Sequence, residues 1–166
     1  MKLHIKLPFL FFLMLLVISL DQYTKLLAIE FLSGKDTCSY FYDVFRLSYA
    51  ENSGAFLSLG SGLPKVLRYF IFSGLVLVFL VGLAIHLMSN LRSHPNYLAG
   101  LSLILSGGIS NLHDRIQYHG VVVDFMNIGV GSFRTGIFNV ADIAILLGAI
   151  LITFNVFSEK SKLDIT

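Results

Sequence analysis

Four long apolar runs decide what this chain can fold into. Leu7 to Leu20 contains no charged residue, and its apolar character continues with breaks to Leu32. Val66 to Met88 contains one charge, Arg68. Pro95 to His113 contains none, and Phe138 to Phe157 contains one, Asp142. Crossing a bilayer takes about 20 mainly apolar residues in a helix. The hydrocarbon offers no partner for exposed backbone groups, so the segment must satisfy its own. The expected fold class is an α-helical polytopic membrane protein with four transmembrane helices, over about 7–28, 66–88, 95–113 and 138–157. Lys2 and Lys6 ahead of the first run also fit a secretory signal. No small-x-small cleavage site follows, however, and the polar cluster Asp21-Gln22-Tyr23-Thr24-Lys25 leads into more apolar sequence. An uncleaved first helix is expected.

Composition narrows the function classes. The 166 residues include only twelve basic and ten acidic ones, 13% charged, where a soluble domain carries about a quarter. Mean hydropathy is +0.78. Disorder is excluded, and a net charge of +2 is too small for a nucleic-acid partner. The single cysteine, Cys38, cannot form an internal disulfide. His4, His86, His94, His113 and His119 show no metal-ligand spacing, and neither a metal nor a cofactor is expected.

Four helices place both termini on one side, with Lys2, Lys6, Arg92, Lys160 and Lys162. The other side has Lys25, Lys35, Arg46, Lys65, Arg68, Arg115 and Arg134. The raw count, five against seven, does not favour the termini inside. The loops over 33–65 and 114–137 are longer, and long loops obey the positive-inside rule poorly, so cytoplasmic termini are expected. Ser39 to Tyr49 is rich in aromatic residues and able to form a strand, and Val121-Val-Val-Asp124-Phe125 could pair with it. A small extracytoplasmic β-sheet on the bilayer surface is expected, within one membrane-embedded domain spanning 1–166.

The polar residues collect at one end of this bundle. Asp21, Gln22 and Lys25 end the first helix; Asn111, Asp114 and Arg115 end the third; Asn139 and Asp142 open the fourth. Asn52 and Asp124 lie in the two loops on the same side. Some have ordinary roles available. Asp21 and Lys25 are spaced for an i,i+4 ion pair, and Asp142 in a first helical turn is favoured by the macrodipole. Asp124, inside Val-Val-Val-Asp-Phe, is poorly explained as a solvated loop charge, since ionisable groups near membrane depth usually face the protein interior and act there. If Asp124 and Asp142 meet, repulsion and low dielectric leave them sharing a proton near neutral pH. The ionised member could activate water and the protonated one polarise a carbonyl. A small ion- or proton-coupled carrier is the alternative, but it would want acids at mid-membrane depth or on both faces. A non-enzymatic membrane subunit would tolerate loss of either acid.

Five ordered motifs then carry a resemblance. Asp21-Gln-x-x-Lys25, Asn52-x-Gly54-Ala55-Phe56, Gly107-Gly-x-x-Asn111-x-x-Asp114-Arg115, Val122-Val-Asp124-Phe125 and Phe138-Asn139-x-Ala141-Asp142 resemble those of lipoprotein signal peptidase (signal peptidase II). The family commonly has two alanines after the glycine of the second motif, where this chain has Ala55-Phe56. The resemblance implies a multi-pass aspartic endopeptidase of the bacterial inner membrane, its active site near the outer surface. It would cut diacylglyceryl-modified prolipoproteins before the lipidated cysteine. Asp124 and Asp142 are implied as the catalytic pair. Asn111, Arg115 and Asn139 are implied to position the dyad or the substrate, with Asp21, Lys25, Asn52, Gly54 and Asp114 in support. Membrane lipid and globomycin-type inhibitors are implied as further partners, and a monomer is expected.

Overall fold

The structure, a computed structural model, describes residues 3–53 and 64–163. Its helices are α1 (Leu3–Leu32), α2 (Lys65–Ser89), α3 (Pro95–Gln117) and α4 (Val140–Leu163). Its strands are β1 (Cys38–Tyr40), β2 (Phe45–Asn52), β3 (Val122–Val130) and β4 (Phe133–Arg134), forming one antiparallel sheet in the order β1-β2-β3-β4. Gly54 lies outside the described residues, as do Ala55 and Phe56.

Three helices, α1, α2 and α4, are long and apolar enough to cross a membrane. The third expected span, α3, is not among them, its serines, Asn111, His113, Asp114 and Arg115 lowering its apolar character. It packs against α1, α2 and α4 and turns inward Ser102, Ser106, Ser110, Asn111 and Asp114, all buried. The large apolar side chains of the outer helices remain exposed, among them Phe11, Leu15, Phe70, Val78, Leu146 and Phe154. An apolar surface of this size marks contact with lipid or another apolar partner.

Leu10, Leu80, Leu87, Leu98, Leu101, Leu105 and Leu112 form a buried core of α1, α2 and α3 that runs from near the α2–α3 turn up to Leu112, beside Asn111. The α2–α3 turn is held by Lys6. Its Nζ donates to the carbonyls of Ser93 (2.9 Å) and Leu91 (3.3 Å). Pro95 occupies the first turn of α3, where its missing N–H costs nothing, and His94 Nδ1 accepts from the Asn96 N–H.

Glycines set how closely α3 meets its neighbours. A Cβ on Gly107 would lie 2.5 Å from the carbonyl oxygen of Ala141, and one on Gly100 2.8 Å from that of Gly148. Gly108 faces the other way, onto Leu80 of α2. Small residues permit such backbone approach between membrane helices. Gly107→Ala is expected to push the first turn of α4 off α3 and lower stability by about 1–3 kcal/mol, the usual cost of overpacking. Thermal unfolding in detergent checks this. An unchanged melting temperature would mean that the two helices part at no cost.

The strand expected within 39–49 is instead a hairpin. Phe41, Tyr42 and Asp43 have φ of 53°, 54° and 68°. Three successive left-handed residues reverse the chain at a cost in backbone strain. The Asp43 carboxylate offsets it by accepting from Ser39 Oγ (2.7 Å) and Arg46 Nε (2.6 Å). These donors hold the Asp43 carboxyl well below the usual carboxylate range, the Arg46 bond contributing most. The β-branched run around Asp124 forms β3 and pairs with β2 in the register Ala50↔Asp124 and Asn52↔Val122. This pairing carries Asn52 and Asp124 to the same end of the bundle as Asp21, Asn111 and Asn139.

Candidate active site

Nine of the ten singled-out residues are described, and all nine fall at the sheet end of the bundle. They form two connected layers. The inner layer is a buried ion cluster of α1 and α3. Lys25 Nζ meets Asp21 Oδ2 at 2.7 Å, Asp114 Oδ2 at 2.8 Å and Asn111 Oδ1 at 2.9 Å. An ammonium has three donors, so every one of them is used. Exposure is 2% for Lys25 and 0% for both aspartates. The i,i+4 pair read from sequence is therefore half of a buried triad.

The same carboxylates tie down other elements. Asp21 Oδ1 accepts the Ala141 N–H (2.7 Å), one of the orphan amides of the first turn of α4, and Asp21 Oδ2 accepts from Ser110 Oγ (2.7 Å). Asp114 accepts from Gln22 Nε2 (2.8 Å) and from the Val123 N–H (3.1 Å). One buried cluster thus fixes α4 and β3 against α1 and α3. Neither Ser110 nor the anchoring role of Gln22 was foreseen. The available signal was the serine spacing 102, 106, 110 leading to Asp114, a stripe along one helix face.

The outer layer holds Asp124 and Asp142, bracketed by a pair of asparagines. Asn139 and Asp142 form a reciprocal cap at the start of α4. Asn139 Oδ1 accepts the Asp142 N–H (2.9 Å), and Asp142 Oδ2 accepts the Asn139 N–H (3.1 Å). This is a capping box, with aspartate in the acidic position. Asn139 Nδ2 reaches Asp124 Oδ1 at 2.7 Å, Asn111 Oδ1 at 3.1 Å and the Val123 carbonyl at 3.3 Å. Asn111 Nδ2 donates to Asp142 Oδ1 (2.9 Å), and Asn52 Nδ2 to Asp124 Oδ2 (3.0 Å). Arg115 lies beside this layer with its guanidinium on the Asn111 carbonyl (3.0 Å).

The two carboxyls differ in surroundings. Asp124 is 2% exposed, whereas Asp142 is half-buried. Burial first, and then the charge of Asp142, push Asp124 up to about 6, against the opposing pull of the Asn52 and Asn139 bonds and of Lys25. A carboxyl raised into this range can give and take a proton near neutral pH. Among the described residues no group of three or more His, Cys, Asp or Glu is placed to hold a metal ion.

Comparison with known proteins places this arrangement. Residues 13–158 match the family described as Signal peptidase (SPase) II. The lipoprotein signal peptidase of Pelodictyon phaeoclathratiforme is 38% identical over 151 residues, covering 86% of each chain. That of Clostridium tetani is 37% identical over 149 residues, covering 89% of this chain and 91% of its own. That of Brevibacillus brevis is 33% identical over 146 residues, covering 88% and 93%. A solved structure titled as a bacterial membrane enzyme shares the fold at a TM-score of 0.77 and 24% identity, covering 93% of this chain and 91% of that one. With the match spanning both halves of the polar cluster and the helices that carry them, the chain belongs to the signal peptidase II family, the lipoprotein signal peptidases.

Proposed function

We propose that this chain is a membrane aspartic endopeptidase that removes signal peptides from diacylglyceryl-modified prolipoproteins of a bacterium. The observation that carries the reading is the meeting of Asp124 and Asp142 across one asparagine. Asn139 binds the carboxyl of Asp124 with its amide and caps the backbone of Asp142. Two acids so joined, one of them raised by burial and then by the other's charge, have the shared-proton character that activates water without a covalent intermediate. Asn111 and Asn139 position the pair, Arg115 and Asn52 border it, and Asp21, Lys25 and Asp114 hold the elements that carry it. Gly54, outside the described residues, is assigned to substrate binding.

In this reading α3 is a fourth span, enclosed by three lipid-facing ones, in a single membrane-embedded domain with cytoplasmic termini. The dyad then lies near the outer surface. A diacylated substrate stays in the bilayer, so its scissile bond sits at that depth. A carrier would need its polar groups to continue across the membrane. The buried acids Asp21, Asp114 and Asp124 instead gather at the sheet end. Globomycin-type peptides would occupy the same groove, and the chain acts as a monomer.

The test is cleavage by the purified full-length protein of one precursor prepared with and without the diacylglyceryl group. The lipidated form is expected to be cut before its modified cysteine and the unmodified form to stay intact. Equal rates would remove lipid recognition from the proposal, and cleavage of neither would remove the proposal itself.

A further inference from the structure

The pair leaves open which carboxyl takes the proton from water, and the direction of the hydrogen bonds around it answers that. Building on the dyad reading above, we propose that Asp142 is the base and Asp124 the acid that protonates the scissile carbonyl oxygen.

The donors around Asp142 cannot be reversed. A lysine ammonium only donates, so the bond from Lys25 Nζ fixes the carbonyl of the Asn111 amide toward α1. The NH2 of Asn111 must then point at Asp142 Oδ1. The other oxygen, Oδ2, meets the backbone N–H of Asn139, which also only donates. Both oxygens of Asp142 therefore face fixed donors, and donors to the charged form favour it. The start of α4 adds the positive end of the helix dipole. Asp142 is the less buried of the two residues, as a group that must meet water requires.

Asp124 is arranged differently. Asn139 Oδ1 is committed to the Asp142 N–H, so its NH2 faces Asp124 Oδ1, but its two hydrogens are spread over three acceptors. The other contact of Asp124 is the side-chain amide of Asn52. Asp124 is also the deeper of the two. The charged groups near the pair are Asp21 and Lys25 from α1 and Asp114 and Arg115 from α3. Lys25, the inner cation, is shared by two aspartates. Glu51 pairs with Val123 in the sheet register, which sets it on the opposite face from Asp124.

The step then balances as follows. A water proton passes to Asp142 while the water oxygen bonds to the carbonyl carbon, and the Asp124 proton passes to the carbonyl oxygen. In the resulting gem-diol the C–N bond breaks as Asp142 returns its proton to the leaving nitrogen. One diol hydroxyl gives its proton back to Asp124. Lys25 and Asn111 touch no reacting atom. They act as positioning residues that hold Asp142 as the base.

Infrared difference spectroscopy on the full-length protein in detergent, titrated through the acid range, reads a protonated carboxyl without turnover. The wild type is expected to show a carboxylic-acid carbonyl band lost with a midpoint of about 6. Asp142→Asn should keep the band with a lower midpoint, because the neighbouring negative charge is gone. Asp124→Asn should lack it. A band kept in Asp124→Asn, lost in Asp142→Asn, or absent from the wild type overturns the assignment. Failure of the dyad reading would look different: one of these variants would still cleave precursor.

Discussion

Asp124→Asn and Asp142→Asn are each expected to cut the rate of precursor cleavage by about a hundredfold to ten-thousandfold, the range that a positioned general acid or base contributes. The two losses should not add. Once either carboxyl is an amide the pair no longer exists, so the double variant should be about as slow as either single one. Asparagine keeps the shape and an acceptor oxygen. One bond at each site, from Asn111 or Asn139 at position 142 and from Asn139 or Asn52 at position 124, can therefore persist, and both variants should still fold, unfolding at a somewhat lower temperature than the wild type. Single-turnover cleavage of a lipidated precursor, read beside thermal unfolding, separates chemistry from folding. A fully active single variant would end the dyad proposal.

The largest effect on stability is expected from Lys25→Ala. Lys25 is the one cation that Asp21 and Asp114 share, at 2.7 and 2.8 Å. Removing it leaves two carboxylates facing each other without solvent, and stripping one partner from a buried ion pair costs about 3–5 kcal/mol. It also strands Asn111 Oδ1. Asp114→Asn should cost much less. The Asp21–Lys25 pair remains, and the amide oxygen can still accept from Lys25 and from the Val123 N–H. The order of damage, Lys25→Ala far above Asp114→Asn, distinguishes a charge cluster from ordinary packing. Urea or thermal unfolding of the two variants measures it, and equal losses would contradict the electrostatic account.

The helices were legible because apolar length is a one-dimensional signal. The runs at 7–28, 66–88, 95–113 and 138–157 correspond to α1, α2, α3 and α4, with ends that differ by a few residues. What the runs could not convey was the inequality among them. Pro95 to His113 carries no charge, yet it forms the enclosed helix. Its Ser110 and Asn111 are spent on neighbours, and those contacts are long-range. The hairpin at 41–43 was hidden for another reason. Phe41 and Tyr42 have no propensity for left-handed backbone, and the turn depends on Asp43 with Arg46 and Ser39.

The site divides in the same way. Asp124 was conspicuous because an acid amid valines has no solvated explanation. Asp21 and Lys25 were visible as a pair, but not as buried, since i,i+4 spacing is silent about depth. The capping box of Asn139 and Asp142 was readable in principle from its spacing. Gln22 and Ser110 became meaningful only when α1 met α3, 88 positions away in sequence.

The bond from Ala141 to Asp21 joins residues 120 positions apart, and it bears on how the molecule comes into being. Asp142 belongs to the final helix, and its first turn is pinned by a carboxylate from the first. During synthesis the earlier helices and β3 can assemble the Lys25 cluster, but one carboxyl is missing until α4 arrives and docks. On the dyad proposal the nascent chain is thus inert, and activity begins in a single late step, when the last helix docks.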